Sequence, residues 1–293
     1  HPDWDYTFAL QPQIERYLDE LAAARGIDLK AQFNTAATAS RWDEDEQRWV
    51  VETNQGTIHA KYLISCAGPM HEAAMPDIPG VDEFAGDSFH TANWNHEVDL
   101  KGKRVAVIGT GASAIQYVPV IQKQVKELIL FQRTAPWVMP RMNRRASSWK
   151  KALYRRFPAI NQAVADVVYL GSEGLQLLQR SPRTMRPLER FALMHLRRQV
   201  KDQSMQRQLT PSFAMGCKRI LFSNSWYPAI TATNATVVSS GVSEITPTGL
   251  IDSEGVHHDA DVIIYSTGFR VTDPDIAKHV RGRDGRLLCD HWQ

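Results

Sequence analysis

The stretch RVAVIGTGASAIQYVPVIQKQVKELILFQRT, residues 104–134, decides how the rest of the chain is read. RVAVIG has four apolar residues among six and no alternation, the pattern of a parallel strand buried on both faces. Gly109, Gly111 and Ala114 then follow in the spacing G-x-G-x-x-G/A. The first glycine permits a tight turn, the second lets the backbone approach a pyrophosphate, and the small Ala114 keeps helix and strand close. Thr110, Ala112, Ser113 and Gln116 share this turn and the first helical turn, where unpaired N–H groups and the positive dipole end meet phosphates. Ile115, Val118 and Ile121 give the helix one apolar face, and ELILF predicts a second strand. In this context the glycines predict a dinucleotide-binding unit; the alternative is an ordinary strand–helix turn.

The end of the second strand selects the dinucleotide. An NAD-selective site places Asp or Glu about 20 residues past the turn, to bond the ribose hydroxyls. Here the place is held by Gln132, Arg133 and Thr134. No acid there repels a 2′-phosphate, and Arg133 can pair with one. The expectation is NADPH rather than NADH, the alternative being an arginine that caps a surface strand.

Composition sets the outer bounds. The 293 residues are 43% hydrophobic and 23% charged, enough for one large or two ordinary soluble domains. No apolar run approaches the roughly 18 residues of a membrane span. Residue 1 is histidine, so the expectation is that a natural N-terminus precedes it. Cys66, Cys217 and Cys289 are far apart, with no CxxC, which argues against a zinc site or dithiol centre and fits a reducing, cytoplasmic compartment. Cys66 and Cys217 are expected to be small buried hydrophobes. Asp259 and Asp261 read as solvated turn residues rather than a metal pair, and no metal constellation is expected.

The net charge of +2 hides an asymmetry: residues 141–210 hold 15 Lys/Arg against 4 Asp/Glu. Such a block can bind nucleic acid or a membrane. Its aromatics (Trp149, Tyr154, Phe157, Tyr169, Phe191) recur at helix-like spacing, as core residues do, so a solvated helical face is expected and no nucleic-acid partner.

Outward from the glycine turn, PQIERYLDELAAAR predicts a helix with Ile14, Tyr17, Leu18 and Leu21 on one face. AQFNTAATASRW, RWVVET and TIHAKYLISCAG predict strands. Residues 56–68 (GTIHAKYLISCAG) and 255–268 (GVHHDADVIIYSTG) look like one unit repeated, each ending in small residues and glycine. Residues 142–210 predict a helical insertion broken at Pro158, Gly171, Gly174, Pro182 and Pro187. KRILFSN and ATVVSSG then predict further strands of the interrupted sheet.

Just before the glycine turn, Phe84, Gly86, His90 and Trp94 fit F-x-G-x-x-x-H-x-x-x-W. This resembles the fingerprint of type I Baeyer–Villiger monooxygenases, with Asn95 where the family usually has Pro or Asp. VIGTGASAIQ, FQRTAPWVMP, GCKRILFSNSWYPAI and IIYSTGF resemble the same family's NADP turn, phosphate-binding strand end, Lys-Arg segment and linker. The resemblance covers nearly the whole chain and implies an α/β fold of two dinucleotide-binding (Rossmann-like) domains, the FAD one incomplete, with a helical insertion in the NADP domain. The implied division is 1–88 partial FAD-binding domain, 89–141 and 213–268 NADP-binding domain, 142–212 insertion, and 269–293 a partial return to the FAD domain. The chain resembles the middle of a longer enzyme, without the N-terminal FAD turn and a C-terminal flavin-domain segment.

The implied cofactors are FAD and NADPH, and the implied reaction inserts one oxygen atom of O2 beside a ketone carbonyl to give an ester or lactone. Arg219 is the implied catalytic residue, because a fixed guanidinium stays protonated and donates to a developing oxyanion. Lys218 matches a family lysine that helps hold NADP, and Thr267 and Gly268 fall in the linker motif. His90 is expected at the join between the two domains, as a hinge residue or as packing, with Trp94 packing the same join. Ser225, Trp226 and Tyr227 replace the family's Asp-Tyr-Tyr, which leaves the local substrate contacts open. Two other readings stay open here: a related monooxygenase that oxidises nitrogen or sulfur, and a non-catalytic NADP-binding fragment. Neither the particular ketone nor the oligomeric state is readable.

Overall fold

A computed structural model of the chain describes residues 2–178, 181–272 and 274–292. His1 and Gln293, which bound the expectation of missing flanks, lie outside the described residues. The chain divides into two compact units, Met75–Gly268 with the segment up to Leu10, and Gln11–Ala74 with the segment from Phe269 on.

The smaller unit begins with helix α1 (Gln11–Ala24). Its expected apolar face forms, yet Ile14, Tyr17 and Leu18 are exposed. Strands β1 (Ala37–Asp43), β2 (Arg48–Thr53) and β3 (Gly56–Ala60) make an antiparallel meander. Residues Val280–Arg281 add a parallel strand to β1. The expected strand does not continue beyond Ala60: residues 61–68 pair with no described strand, and Tyr62 and Ile64 are 75% and 81% exposed. A strand needs a ladder partner for its N–H and C=O groups, and apolar composition alone does not supply one. Cys66 is therefore exposed, not buried.

The larger unit is built on a parallel sheet. Its strands are β4 (Asp87–His90), β5 (Arg104–Ile108), β6 (Glu127–Phe131), β9 (Ala235–Val238) and β13 (Val262–Tyr265), in the order β4-β13-β5-β6-β9. Helix α2 (Ala114–Ile121) crosses from β5 to β6. Between β6 and β9 lie the short strand β7 (Val138–Met139), helices α3 (Ser148–Arg156), α4 (Pro158–Leu178), α5 (Pro182–Gln199) and α6 (Gln203–Gln208), strand β8 (Leu221–Phe222) and helix α7 (Trp226–Ile230). Strands β10 (Val242–Thr246), β11 (Gly249–Asp252) and β12 (His257–Asp259) form a second antiparallel meander.

Neighbouring residues along each parallel strand serve opposite faces. Val105, Val107, Leu128, Leu130 and Ile264 pack with Ile115 and Val118 of α2 and with Trp226 and Ile230 of α7. Ala106, Ile129, Phe131, Ile263 and Tyr265 pack with Ile245 and Leu250 of the meander. The unbroken apolar runs in the sequence follow directly from this two-sided burial. Of the residues standing in place of Asp-Tyr-Tyr, Trp226 and Tyr227 are core residues, 0% and 3% exposed, while Ser225 is exposed.

Three expectations in this unit are corrected. KRILFSN gives only β8, which pairs with β7 and not with the main sheet. Gly171 and Gly174 lie inside α4 and Pro187 inside α5 without ending either helix. Pro158 and Pro182 do mark helix starts, where the missing N–H costs nothing. The repeat is real only for the meander: β1 to β3 and β10 to β12 correspond, but a parallel strand follows only the second.

Asp259 and Asp261 are not merely solvated. At the amino end of the sheet, Arg104 Nη2 donates to Asp261 Oδ1 at 2.6 Å and Arg104 Nη1 to Asp259 Oδ2 at 2.7 Å. The Arg104 backbone N–H donates to Asp261 as well, at 2.7 Å. This clamps β5 to β13, and the Arg104 hydrogen bonds hold the Asp261 carboxyl below its ordinary value of 3.8. A lowered folded-state pKa contributes stability that is present above the ordinary value and lost as pH falls through the folded one. Asp261→Asn should therefore be less stable than the parent at pH 7, with the difference shrinking below the ordinary 3.8; thermal unfolding at pH 7 and pH 3 measures it, and an unchanged difference would contradict it.

The glycine at the other end of β5 gives a second test. Gly109 has φ +106°, and a Cβ there would lie 2.6 Å from the Ser266 carbonyl oxygen. Gly109→Ala should lose on the order of 3 kcal/mol of stability in denaturant titration.

Candidate functional site

The parallel strands end on one level. Register pairs His90 with Tyr265, Tyr265 with Ile108, Ile108 with Phe131, and Phe131 with Val238. Beyond this line the strands give way to loops, and in an open parallel sheet that carboxyl edge is where ligands bind. β5 lies between β13 on one side and β6 on the other, so the chain runs outward in both directions from it. The crevice opens at this switch point.

A cleft of about 670 Å3 occupies it. Gly109, Thr110 and Gly111 from the end of β5, Arg133 and Thr134 from the end of β6, Lys218, and Thr267 beyond β13 all line it. Seven sequence-assigned residues thus meet in one place. Gly111 leaves its side open, with nothing within 4 Å of a notional Cβ. Gly109 is the close-approach glycine: its N–H donates to the Phe131 carbonyl at 3.2 Å, and the Ser266 carbonyl stands where a Cβ would lie. These features fit a dinucleotide diphosphate, since a side chain at 111 would stand where the diphosphate comes nearest the backbone.

The remaining turn residues do not face the cleft. Ala114 is fully buried against the core, so its smallness serves helix–strand packing. Ala112 and Ser113 form the turn into α2, where the Ala112 carbonyl accepts from Gln116 Nε2 at 2.7 Å. Gly268 lies just past Thr267 with φ +89°.

The cleft also contains residues that the sequence reading missed. Ser240 and Gly241 come from the loop after β9, Val242 from the start of β10, and Pro76, Asp77 and Ile78 from the segment before β4. The small pair Ser-Gly at the end of the strand-like run ATVVSSG carried a signal. PDI carried none, because only the tertiary fold brings it to the sheet edge.

Lys218 and Arg219 follow Gly216, whose φ of +103° turns the chain. Lys218 holds its ammonium 4.8 Å above the Phe213 ring. It borders both the cleft and an adjoining cavity of about 360 Å3, while Arg219 borders only the latter, with Leu175, Ile220 and Phe222. Cys217 lines that cavity and is exposed, against the expectation of burial.

The four fingerprint residues all lie inside the larger unit. Gly86 sits where a Cβ would meet the Asp261 carbonyl at 2.5 Å and the Phe84 ring at 2.8 Å. Phe84 packs on the face that holds Tyr265. His90 is 4% exposed at the end of β4, and its Nδ1 accepts from the Ala92 N–H at 3.0 Å. Burial pushes its pKa down, with a hydrogen bond to the Gly268 backbone acting in the opposite sense. Trp94 stands edge-on to Phe89 and to Tyr117 of α2, with centroids 5.2 and 5.1 Å away. The Tyr117 hydroxyl meets Ser266 Oγ at 2.7 Å, and the Ser266 carbonyl abuts Gly109. The packing expected of Trp94 at a domain join is thus packing within one unit, and it props the glycine turn from behind.

Among the described residues no cluster of His, Cys, Asp and Glu could hold a metal ion, and no helix is long and apolar enough to cross a membrane.

Comparison with known proteins places this geometry. The family model described as flavin-binding monooxygenase-like matches residues 2–284. A Baeyer-Villiger monooxygenase of Streptomyces coelicolor is 41% identical over 294 residues, covering 100% of this chain and 57% of the relative. A protein of the same name from Pseudomonas aeruginosa is 40% identical, covering 100% and 56%. Among solved structures, OTEMO in complex with FAD and NADP superposes with a TM-score of 0.85 at 30% identity, over 99% of this chain and 63% of that one. The open form of cyclohexanone monooxygenase gives 0.85 at 25%, over 99% and 64%. The chain spans just over half the length of these curated relatives. With a sheet edge that gathers the glycine turn, Arg133 and Lys218, and a family match along almost its whole length, the chain belongs to the flavin-binding monooxygenase-like family.

Proposed function

We propose that this chain is the NADPH-binding part of a monooxygenase that uses FAD and O2 to insert one oxygen atom beside a ketone carbonyl, giving an ester or lactone. The observation that carries the reading is the cleft in which an open glycine turn meets Arg133, Thr134 and Lys218 at the carboxyl edge of a parallel sheet. The names and cofactors of the relatives support it, as does the complete fingerprint from Phe84 to Trp94.

In this reading the diphosphate of NADPH lies over Gly109 and Gly111. Its 2′-phosphate meets Arg133 and Thr134, since a guanidinium offers a fork of donors to phosphate oxygens. Lys218 adds a mobile positive charge to the same anionic ligand. Arg219 stays protonated at any working pH and donates to the oxygen that becomes negative when the ketone carbonyl is attacked. Bound FAD supplies the oxidative chemistry, taking reducing equivalents from NADPH and passing them to O2. The described residues include no second glycine-rich strand–turn–helix, so no residue here is assigned to the flavin. The smaller compact unit falls within the segments assigned to the FAD-binding domain, 1–88 and 269–293. Exposed thiols at Cys66 and Cys217 fit a reducing compartment.

Three variants test the reading. Gly111→Ala should fold normally, since nothing crowds that position, yet bind NADPH more weakly in calorimetric titration. Arg133→Ala should weaken NADPH binding by about 10- to 100-fold and leave NADH nearly unchanged; equal losses for the two coenzymes would remove Arg133 from the 2′-phosphate. In an enzyme containing this chain, Arg219→Ala should cost about 100- to 1,000-fold in ester formation while NADPH still reduces the flavin. Normal ester yield would take Arg219 out of the chemistry.

A further inference from the structure

The expected core role of the aromatics in the basic block is not what the structure shows. Trp149, Phe157 and Tyr169 are 69%, 50% and 62% exposed, and no residue of α3 or α4 is buried. Helical spacing identified the face but not a cover for it. Just past the block, Phe213 is placed differently: it is partly buried and packs against the cluster of Trp137, Met139, Met185, Ala192 and Met215.

Phe213 begins the loop that carries Lys218 and Arg219, and Trp137 clasps that loop at both ends. The Trp137 indole N–H donates to the Phe213 carbonyl at 2.8 Å, and the Trp137 carbonyl accepts from the Leu221 N–H at 2.9 Å. Between these ends the Met215 N–H donates to the Glu189 carboxylate of α5 at 3.0 Å, and Gly216, at φ +103°, turns the chain. Trp137 and Met215 are 6% and 2% exposed, so the clasp is anchored in packed core. Lys218 itself is exposed, a point charge on a flexible four-carbon stem. The turn brings it over the start of its own loop, with the ammonium 4.8 Å from the centre of the Phe213 ring.

We infer that Phe213 is a positioning residue for NADPH: its ring holds the Lys218 ammonium at the border between the nucleotide cleft and the cavity of Arg219. A ring face attracts a cation through its quadrupole and leaves the charge intact. The ammonium has three donors and the ring covers one side of it, so a phosphate oxygen can still approach from the open side. Held in this place, Lys218 already lines the cleft. Fixing a long side chain where the ligand needs it removes part of the ordering cost of binding. The clasp by Trp137 keeps the ring from following the lysine, because the backbone that carries Phe213 is bonded to the core on its far side. The inference rests on the NADPH-binding reading and adds to that site a residue with no polar side-chain atom of its own.

Calorimetric titration of this chain with NADPH, run as a double-mutant cycle, gives the test. Phe213→Leu, which keeps an apolar side chain but removes the ring, should raise the NADPH Kd about two- to fivefold. Phe213→Tyr, which keeps the ring face, should stay near the parent. In a Lys218→Met background there is no cation to hold, and Phe213→Leu should then leave the Kd where Lys218→Met puts it. A general packing role for Phe213 would give the same loss in both backgrounds, so the cycle separates the two roles. Four results would overturn the inference: equal losses with and without the lysine, a Phe213→Leu affinity equal to the parent's, tighter binding once the ring is gone, or a loss in Phe213→Tyr as large as in Phe213→Leu. Each of them leaves the NADPH reading standing, whereas a parent chain that binds no NADPH overturns that reading and the inference together.

Discussion

The close contact between Gly109 and the Ser266 carbonyl is the constraint on which the rest of this structure depends. It exists because β5 and β13 run parallel, in register, and stop on the same level. The turn leaving β5 must then pass over the backbone leaving β13, and only a residue without a Cβ at positive φ can do so. Everything behind that contact holds it in place. The Arg104 clamp to Asp259 and Asp261 fixes the far end of the same two strands. Trp94, Tyr117 and Ser266 form a continuous set of contacts that supports the near end. Of the fingerprint residues, Trp94 supports the carboxyl edge through Tyr117, while Gly86 packs against Asp261 at the amino end of β13.

In front of the contact, charge takes over. The cleft gathers Arg133 and Lys218 around the open side of Gly111. Both cations are exposed to solvent, so their attraction for a phosphate-bearing ligand would weaken as salt concentration rises. One carboxylate, Asp77, also borders the cleft. Lys218 borders the cleft and the cavity of Arg219 alike, so nucleotide binding and the proposed oxyanion site share one loop.

How much of this was legible in the sequence depended on whether the determining interaction was local. The unit from 104 to 134 was fully legible, because strand burial, turn glycines and helix periodicity are all set within a few residues. The place of Arg133 was legible by counting from the turn. The run at 61–68 was misread because apolar composition says nothing about whether a neighbouring strand exists. Asp259 and Asp261 are partly exposed, in keeping with the expectation, but their ion pairs were not legible because the partner, Arg104, lies 155 and 157 residues away. The aromatics of α3 and α4 had the spacing of a core face, and spacing is silent about what covers it. Asp77 and Ser240 reach the cleft only through the topology of the sheet. The candidate site was therefore half visible: the turn glycines and the basic residues that line the cleft could be named, and those that close its walls could not.

The most direct test is a crystal structure of this chain with NADP. The account predicts the diphosphate over Gly109 and Gly111 and the 2′-phosphate within hydrogen-bonding distance of the Arg133 guanidinium. A nucleotide bound with its 2′-phosphate directed away from the end of β6, or bound anywhere other than the carboxyl edge of the parallel sheet, would contradict it.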